Sequence, residues 1–136
     1  MDLLKSLSVA VSGLKAQSGR MRVIAENLAN AESTPTRPGQ DPYRRKIPTF
    51  TRSFDRELDA QVVAMGRVQR DNSAFQLRHE PGHPAADADG NVRIPNVNST
   101  IEQMDMREAQ RSYEANLNLV AATRRMITRT LEILRV

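Results

Sequence analysis

The feature that most restricts this chain is a pattern repeated at its two ends, where apolar residues recur at alternating steps of three and four. At the front the stripe reads Leu4, Leu7, Val11, Leu14, Ser18, Met21, Ala25, Leu28. At the back it reads Met106, Gln110, Tyr113, Leu117, Val120, Arg124, Ile127, Leu131, Leu134. Every proline lies between the two stripes. A repeat averaging about 3.5 residues gives each helix one narrow apolar seam, the geometry of a coiled coil rather than of a helix sunk in a globular core. Such a seam needs a partner: the other end of the chain, another copy of it, or a different protein. The expected fold class is therefore mainly α, with two long terminal helices around a helix-hostile middle.

Composition agrees with that reading. Aromatic residues make up 4% of the 136 residues, and tryptophan is absent. Most large apolar residues sit in the stripes, so the middle, from about Ser33 to Asn98, has too few to build a large core of its own. This implies an elongated molecule. The formal charge of +4, from 20 bases and 16 interspersed acids, is modest for a nucleic-acid binder. Without cysteine, disulfides, thiolate metal sites and a thiol nucleophile are excluded. Asp2, Lys5, Lys15 and Arg20 break up the N-terminal apolar run, so no cleaved signal peptide is expected, and no stretch approaches the roughly 18 apolar residues of a membrane span.

Asp2 is the expected N-cap of the first helix, which should run to about Ala31, before Thr34-Pro35-Thr36-Arg37-Pro38-Gly39 forbids continuation. Ser99 and Glu102 read as a capping box opening a second helix that continues to the C-terminus. The chain thus divides into 1–31, 32–98 and 99–136. Within the middle segment, Tyr43 to Phe50 reads as extended, and Val62 to Val68 and Ala74 to Leu77 as candidate strands. Asp55 to Met65 could instead begin as a helical turn. Asp89-Gly90 should turn the chain into a short strand over Asn91 to Ile94.

Each local motif has a bland alternative. His79-Glu80-Pro81-Gly82-His83 matches H-E-x-x-H, but that zinc motif needs both histidines on one helical face, and Pro81, Gly82 and Pro84 favour a turn. Asp87-Ala88-Asp89-Gly90-Asn91 resembles half of a calcium loop; position 98, where the closing Glu belongs, is Asn, and an Asp-Gly turn is the expectation. Arg44, Arg45 and Lys46, with Tyr43 and Phe50 for stacking, could form a basic nucleic-acid module. Asp41, Asp55, Glu57 and Asp59 flank that cluster, which favours a salt-bridging face. Asn27, Asn30 and Asn116, in or beside the seams, are mediocre helix formers of the kind that fix register, and Asn30 doubles as a helix C-cap. Expected cofactors, metals and catalytic residues are none.

Two blocks give these residues a family. Ser12-Gly13-Leu14-Lys15-Ala16-Gln17, with Ile24-Ala25-Glu26-Asn27-Leu28-Ala29-Asn30, closely resembles the N-terminal signature of the bacterial flagellar axial proteins, the rod, hook and hook-associated subunits. Gln110-Arg111-Ser112-Tyr113-Glu114-Ala115-Asn116 resembles that family's C-terminal motif. Tyr43-Arg44-Arg45-Lys46, Pro81-Gly82-His83-Pro84 and Pro95-Asn96-Val97-Asn98 are similar to a proximal-rod member.

The resemblance implies an antiparallel coiled-coil domain of the two terminal helices with a small irregular β-containing insertion. It also implies a structural subunit of the basal-body rod that polymerises helically and is needed for flagellum assembly and motility. Partners would be other copies, other rod proteins and the flagellar type III export apparatus. No nucleic acid, membrane insertion or small-molecule substrate is expected, and the location would be the periplasm-spanning rod. The implied assembly seam comprises Leu7, Val11, Leu14, Met21, Leu28, Tyr113, Leu117, Val120, Ile127, Leu131 and Leu134. Implied motif residues are Ser12, Gly13, Gln17, Asn27, Asn30, Arg111, Ser112, Tyr113 and Asn116, and the loop contacts are Tyr43, Arg44, Arg45, Lys46, His83 and Asn96.

Overall fold

The structure is a computed structural model that describes residues 2–135, so the first residue of the 1–31 segment and the last of 99–136 lie outside the described residues. Two helices flank a β-containing region, and about half of the chain is helical. Helix α1 spans Leu3–Ala29 and α2 spans Ser99–Leu134. Between them lie β1 (Lys46–Ile47), β2 (Phe50–Asp55), β3 (Ala60–Met65), β4 (Gln69–Arg70), β5 (Gln76–His79) and β6 (Asn91–Ile94). They pair antiparallel as β1–β4, β2–β3 and β5–β6.

The helix starts follow from side-chain capping. Asp2 Oδ1 accepts the Leu4 N–H at 3.0 Å, as the sequence predicts. At α2 the expected capping box is not formed. Asn98 Oδ1 accepts the N–H groups of Thr100 and Ile101 at 3.1 and 3.3 Å, while Glu102 turns inward and is 1% exposed. Asn98 can take the cap because its short amide reaches the same orphan donors, which frees the glutamate. The end of α1 is closed by Asn30, whose Nδ2 donates to the Glu26 carbonyl at 2.8 Å.

The middle segment departs from the sequence reading in three places. Residues 55–65 hold no helical turn: Asp55 and Ala60 close a β2–β3 hairpin in which Asp59 takes the left-handed backbone (φ 49°). Asp55 Oδ1 organises that turn by accepting the N–H groups of Glu57 and Leu58. The strand expected over 62–68 is Ala60–Met65, and the one expected over 74–77 is Gln76–His79. Pro48 and Thr49 also interrupt the extended run from Tyr43, leaving the short β1 before β2. Asn91–Ile94 is a strand as expected, entered through Gly90 at φ 81°. Asp87 Oδ1 accepts the N–H groups of Asp89 and Asn91, so its carboxylate is tied into the turn.

The chain forms two compact units, each drawing on both helices. The first comprises 1–21, 49–67 and 107–136. Its buried residues, among those described, are small: Ala10, Ala16, Ala109 and Thr123. Glycine sets close approaches here. A Cβ on Gly13 would lie 2.9 Å from Asn116 Nδ2, and one on Gly19 would lie 2.2 Å from Met65 Sδ. Ser12 Oγ accepts the Val63 N–H at 3.3 Å, and ion pairs join Lys5 to Asp59 and Arg20 to Glu108 at 3.2 Å each.

The second unit comprises 22–48 and 68–106 and holds β1–β4 and β5–β6. Its buried apolar residues are Val23, Ile24, Ala31, Ala85, Val92 and Val97.

Candidate functional site

The densest polar arrangement among the described residues lies in the second unit, around Asn27. This side chain is fully buried on α1, and its amide meets four partners. Nδ2 donates to the Lys46 carbonyl at 2.8 Å and to Glu102 Oε2 at 3.2 Å. Oδ1 accepts the Lys46 N–H at 2.9 Å and the Tyr43 hydroxyl at 2.8 Å. Two donors and two lone pairs are thereby all satisfied, which a buried amide requires to avoid a cost of about 1–3 kcal/mol per orphan. Because Lys46 offers both its N–H and its carbonyl, Asn27 acts toward β1 as one more strand residue would.

Glu102 extends the arrangement. Its other oxygen receives the Arg45 guanidinium, which also reaches Asp71 Oδ2 at 3.4 Å and Asp105 Oδ2 at 4.0 Å. Burial works against the Arg45 charge, but the hydrogen bond and charge of Glu102, then those of Asp71, outweigh it and raise the pKa. Asp71 is lowered, mainly by hydrogen bonds from Ser73 and then by Arg45. The Tyr43 hydroxyl is pushed up to about 12 by burial and by the nearby carboxylates of Glu26 and Glu102. It therefore stays a proton donor to Asn27 throughout the neutral range.

Asn96 completes the enclosure. Its Oδ1 accepts the Arg45 N–H at 2.8 Å, and its Nδ2 donates to the carbonyls of Asp71 and Ser73 at 3.1 and 3.2 Å. Lys46 Nζ pairs with Glu26, and Arg44 donates to the Asp71 carbonyl while lying 4.3 Å above the Phe75 ring. The basic run 44–46 is thus held by carboxylates, a carbonyl and an aromatic face of its own chain. What the arrangement does chemically is fix position: it locks segment 43–47 between α1 and the start of α2.

Sequence reasoning singled out Asn27, Tyr43, Arg44, Arg45, Lys46 and Asn96 separately, and the structure brings them together. Asp71 was missed, and Glu102 was misread as a cap. A signal for Glu102 exists: it stands four residues before Met106 and seven before Ala109, on the inward face of α2.

The remaining singled-out residues lie elsewhere. His83 Nε2 meets Thr34 Oγ1 at 3.1 Å while its Nδ1 accepts the Ala85 N–H, and His79, at the end of β5, contacts Asn91. These two histidines sit in a strand end and a turn, not on one helical face.

Among the motif residues, Gly13 faces Asn116, and the Gln17 oxygen is buried without a hydrogen-bond donor. Ser112 and Tyr113 are half-buried, and Arg111 is exposed. The seam positions divide into two groups. Leu7, Val11, Leu14, Met21, Leu28, Tyr113, Val120 and Ile127 are half-buried, whereas Leu117, Leu131 and Leu134 face outward at 47%, 59% and 76% exposure. On α2 the half-buried Met106, Tyr113, Val120 and Ile127 alternate with the buried Ala109 and Thr123 and with Asn116, itself half-buried. Each of the latter lies one residue before the stripe positions Gln110, Leu117 and Arg124.

Comparison with known proteins places these residues in a family. Residues 7–35 match the family described as flagella basal body rod protein, and residues 88–133 match the C-terminal region described for flagellar basal body rod FlgEFG proteins. A flagellar basal-body rod protein FlgC of Agrobacterium fabrum is 46% identical, over 99% of this chain and 98% of that protein. FlgC of Aquifex aeolicus is 38% identical over 97% of each chain, and FlgC of Salmonella typhimurium 38% over 98% of each. These relatives are structural rod proteins, not enzymes. The chain, from its N-terminal signature through the Asn27 hub to α2, belongs to the flagellar basal-body rod protein family, among the members named FlgC.

Proposed function

We propose that this chain is a structural subunit of the proximal rod of the flagellum, built into the drive shaft by helical polymerisation through its terminal helices and needed for assembly and motility. In this reading the two helices pair as an antiparallel coiled coil. Within the first unit, Gly13 meets Asn116 and Arg20 meets Glu108, so residue numbers fall on one helix as they rise on the other. Within the second unit, Asn27 meets Glu102 in the same sense.

The observation that carries the proposal is the hub itself, because it joins the family-like blocks at Asn27, Tyr43–Lys46 and Asn96 into one fully satisfied arrangement. Such an arrangement positions a loop on a helical scaffold and provides no nucleophile, base and oxyanion set. A nucleic-acid role for Arg44, Arg45 and Lys46 finds no support in it, since Arg45 and Lys46 already face carboxylates.

Neighbouring copies and other rod proteins would cover the apolar surface that remains outside. The subunit would reach the periplasm-spanning rod through the flagellar type III export apparatus. No helix among the described residues is long and apolar enough to cross a membrane.

Deletion of the gene, followed by complementation with the intact and the Asn27→Leu chains, tests the role. Loss of basal-body rods on deletion and their return with the intact chain alone is the expected result. Normal rods and motility in the deletion strain would refute it.

A further inference from the structure

The packing of α2 stops before the helix does. Ile127 is half-buried, but every residue from 128 to 135 is exposed. This overhang carries Leu131, Ile133 and Leu134, the last two at 74% and 76% exposure. At about 100° per residue, these three fall with Met126 and Ile127 on one side of the helix, and Arg124, Arg125, Arg129 and Arg135 fall on the other. Among the described residues, none of these arginines has an ion-pair partner. The overhang is therefore an apolar ridge, backed by Arg129 and Arg135 with Glu132 between them and by Arg124 and Arg125 just before it.

The same unit contains a matching recess. A groove of about 490 Å³ is lined mainly by apolar surface, with Val9 and Ala10 from α1, Ala60 from the hairpin and Leu119 from α2. Leu119 is half exposed there, and the hairpin turn forms one wall through Asp59. That turn carries three acids, Asp55, Glu57 and Asp59, against the single base Arg56. Asp59 pairs with Lys5, leaving Asp55 and Glu57 with backbone N–H partners or exposed.

We infer that the overhang 128–135 of one copy docks into the Val9–Leu119 groove of a second copy, its arginines facing that copy's acidic hairpin turn. This deepens the rod reading and rests on it, naming which surfaces of the terminal helices meet. Charge complementarity chooses a second copy as occupant: one chain carries both a ridge backed by four arginines against one acid, Glu132, and an apolar groove walled by a hairpin turn with three acids against one base. Because ridge and groove are different surfaces, the contact is heterologous, and each copy keeps one of each free for the next.

The absence of cysteine makes the test direct, since an introduced thiol is the only one in its chain. Val9→Cys and Leu134→Cys chains are co-expressed in a strain lacking the native gene, basal bodies are purified, and disulfide-linked dimers are measured under mild oxidation. A pairing of Leu134→Cys with Leu77→Cys, exposed in the other unit, serves as reference.

The expected result is at least about tenfold more dimer for the Val9 pairing than for the Leu77 pairing, a difference of about 1.4 kcal/mol. A Leu131→Asp, Leu134→Asp chain should enter basal bodies at least about tenfold less, although its circular dichroism is unchanged. If the cysteine chains enter basal bodies and the two pairings cross-link equally, the docking is overturned while the rod reading stands. If the intact chain is missing from basal bodies, both fail. Flotation of the intact chain with vesicles of phosphatidylglycerol and phosphatidylethanolamine, abolished by Leu131→Asp, Leu134→Asp, would assign the ridge to a lipid surface and overturn the docking.

Discussion

The two units of this chain use their residues in opposite ways. In the second, valines, an isoleucine and a fully hydrogen-bonded Asn27–Glu102 arrangement are buried, and four large apolar residues are exposed. Among its described residues, the first buries three alanines and a threonine and exposes eleven large apolar residues, including Phe50, Phe54, Leu117 and Leu134. Fully burying one such side chain gains about 1.5–3 kcal/mol, so the first unit holds its main unrealised stabilisation on the outside. On the proposed assembly the lesson is a division of labour: one unit completes its interactions within the chain, and the other would leave them for neighbours.

Substitutions can break that contrast. The largest stability loss is expected for Glu102→Ala, which leaves the Arg45 guanidinium and Asn27 Nδ2 without their buried acceptor; about 3–5 kcal/mol should be lost in chemical denaturation. Asn27→Ala strands the Lys46 N–H and carbonyl and should cost about 2–3 kcal/mol by the same measurement. A loss below about 0.5 kcal/mol for either would mean that the second unit is not held by its hub.

How far could these points be read from the sequence? Both long helices, the Asp2 cap and the Asp-Gly turn were legible because each depends on residues a few positions apart. The hub residues could be named but not assembled, since Asn27, Arg45, Asn96 and Glu102 meet across tens of residues of chain. Glu102 was misread because its spacing from Ser99 satisfies a capping box, and only the tertiary partner Arg45 decides otherwise. The stripes showed the period, but not which residues turn inward. Close approach at Gly13 and Gly19 favours small side chains inside, so bulky stripe members such as Leu117 are displaced outward.

Smaller effects sharpen the comparison through pH. The raised Tyr43 pKa gives the second unit stability that is complete below about pH 10 and is lost as pH rises toward about 12. Tyr43→Phe should lower neutral stability by about 1 kcal/mol and flatten that alkaline decline in the denaturation midpoint. Asp71, with its lowered pKa, contributes stability above the ordinary carboxylate range that disappears as pH falls through its folded value; Asp71→Asn should flatten the acid limb. The smallest stability change is expected for Leu117→Asp, within about 0.5 kcal/mol in the free chain, because the side chain is already half in water. Its rods, counted by electron microscopy, should nonetheless be lost, and normal rods would remove Leu117 from the assembly surface.

Amide hydrogen exchange, compared between dilute monomer and assembled rods, tests the division of labour most directly. Residues 24–30, 43–47 and 96–106 should be protected in the free chain and gain little in rods. Residues 128–135 should exchange freely in the monomer and become protected only on assembly. Equal protection of 128–135 in both states, or loss of protection around Asn27 in the monomer, would contradict the account.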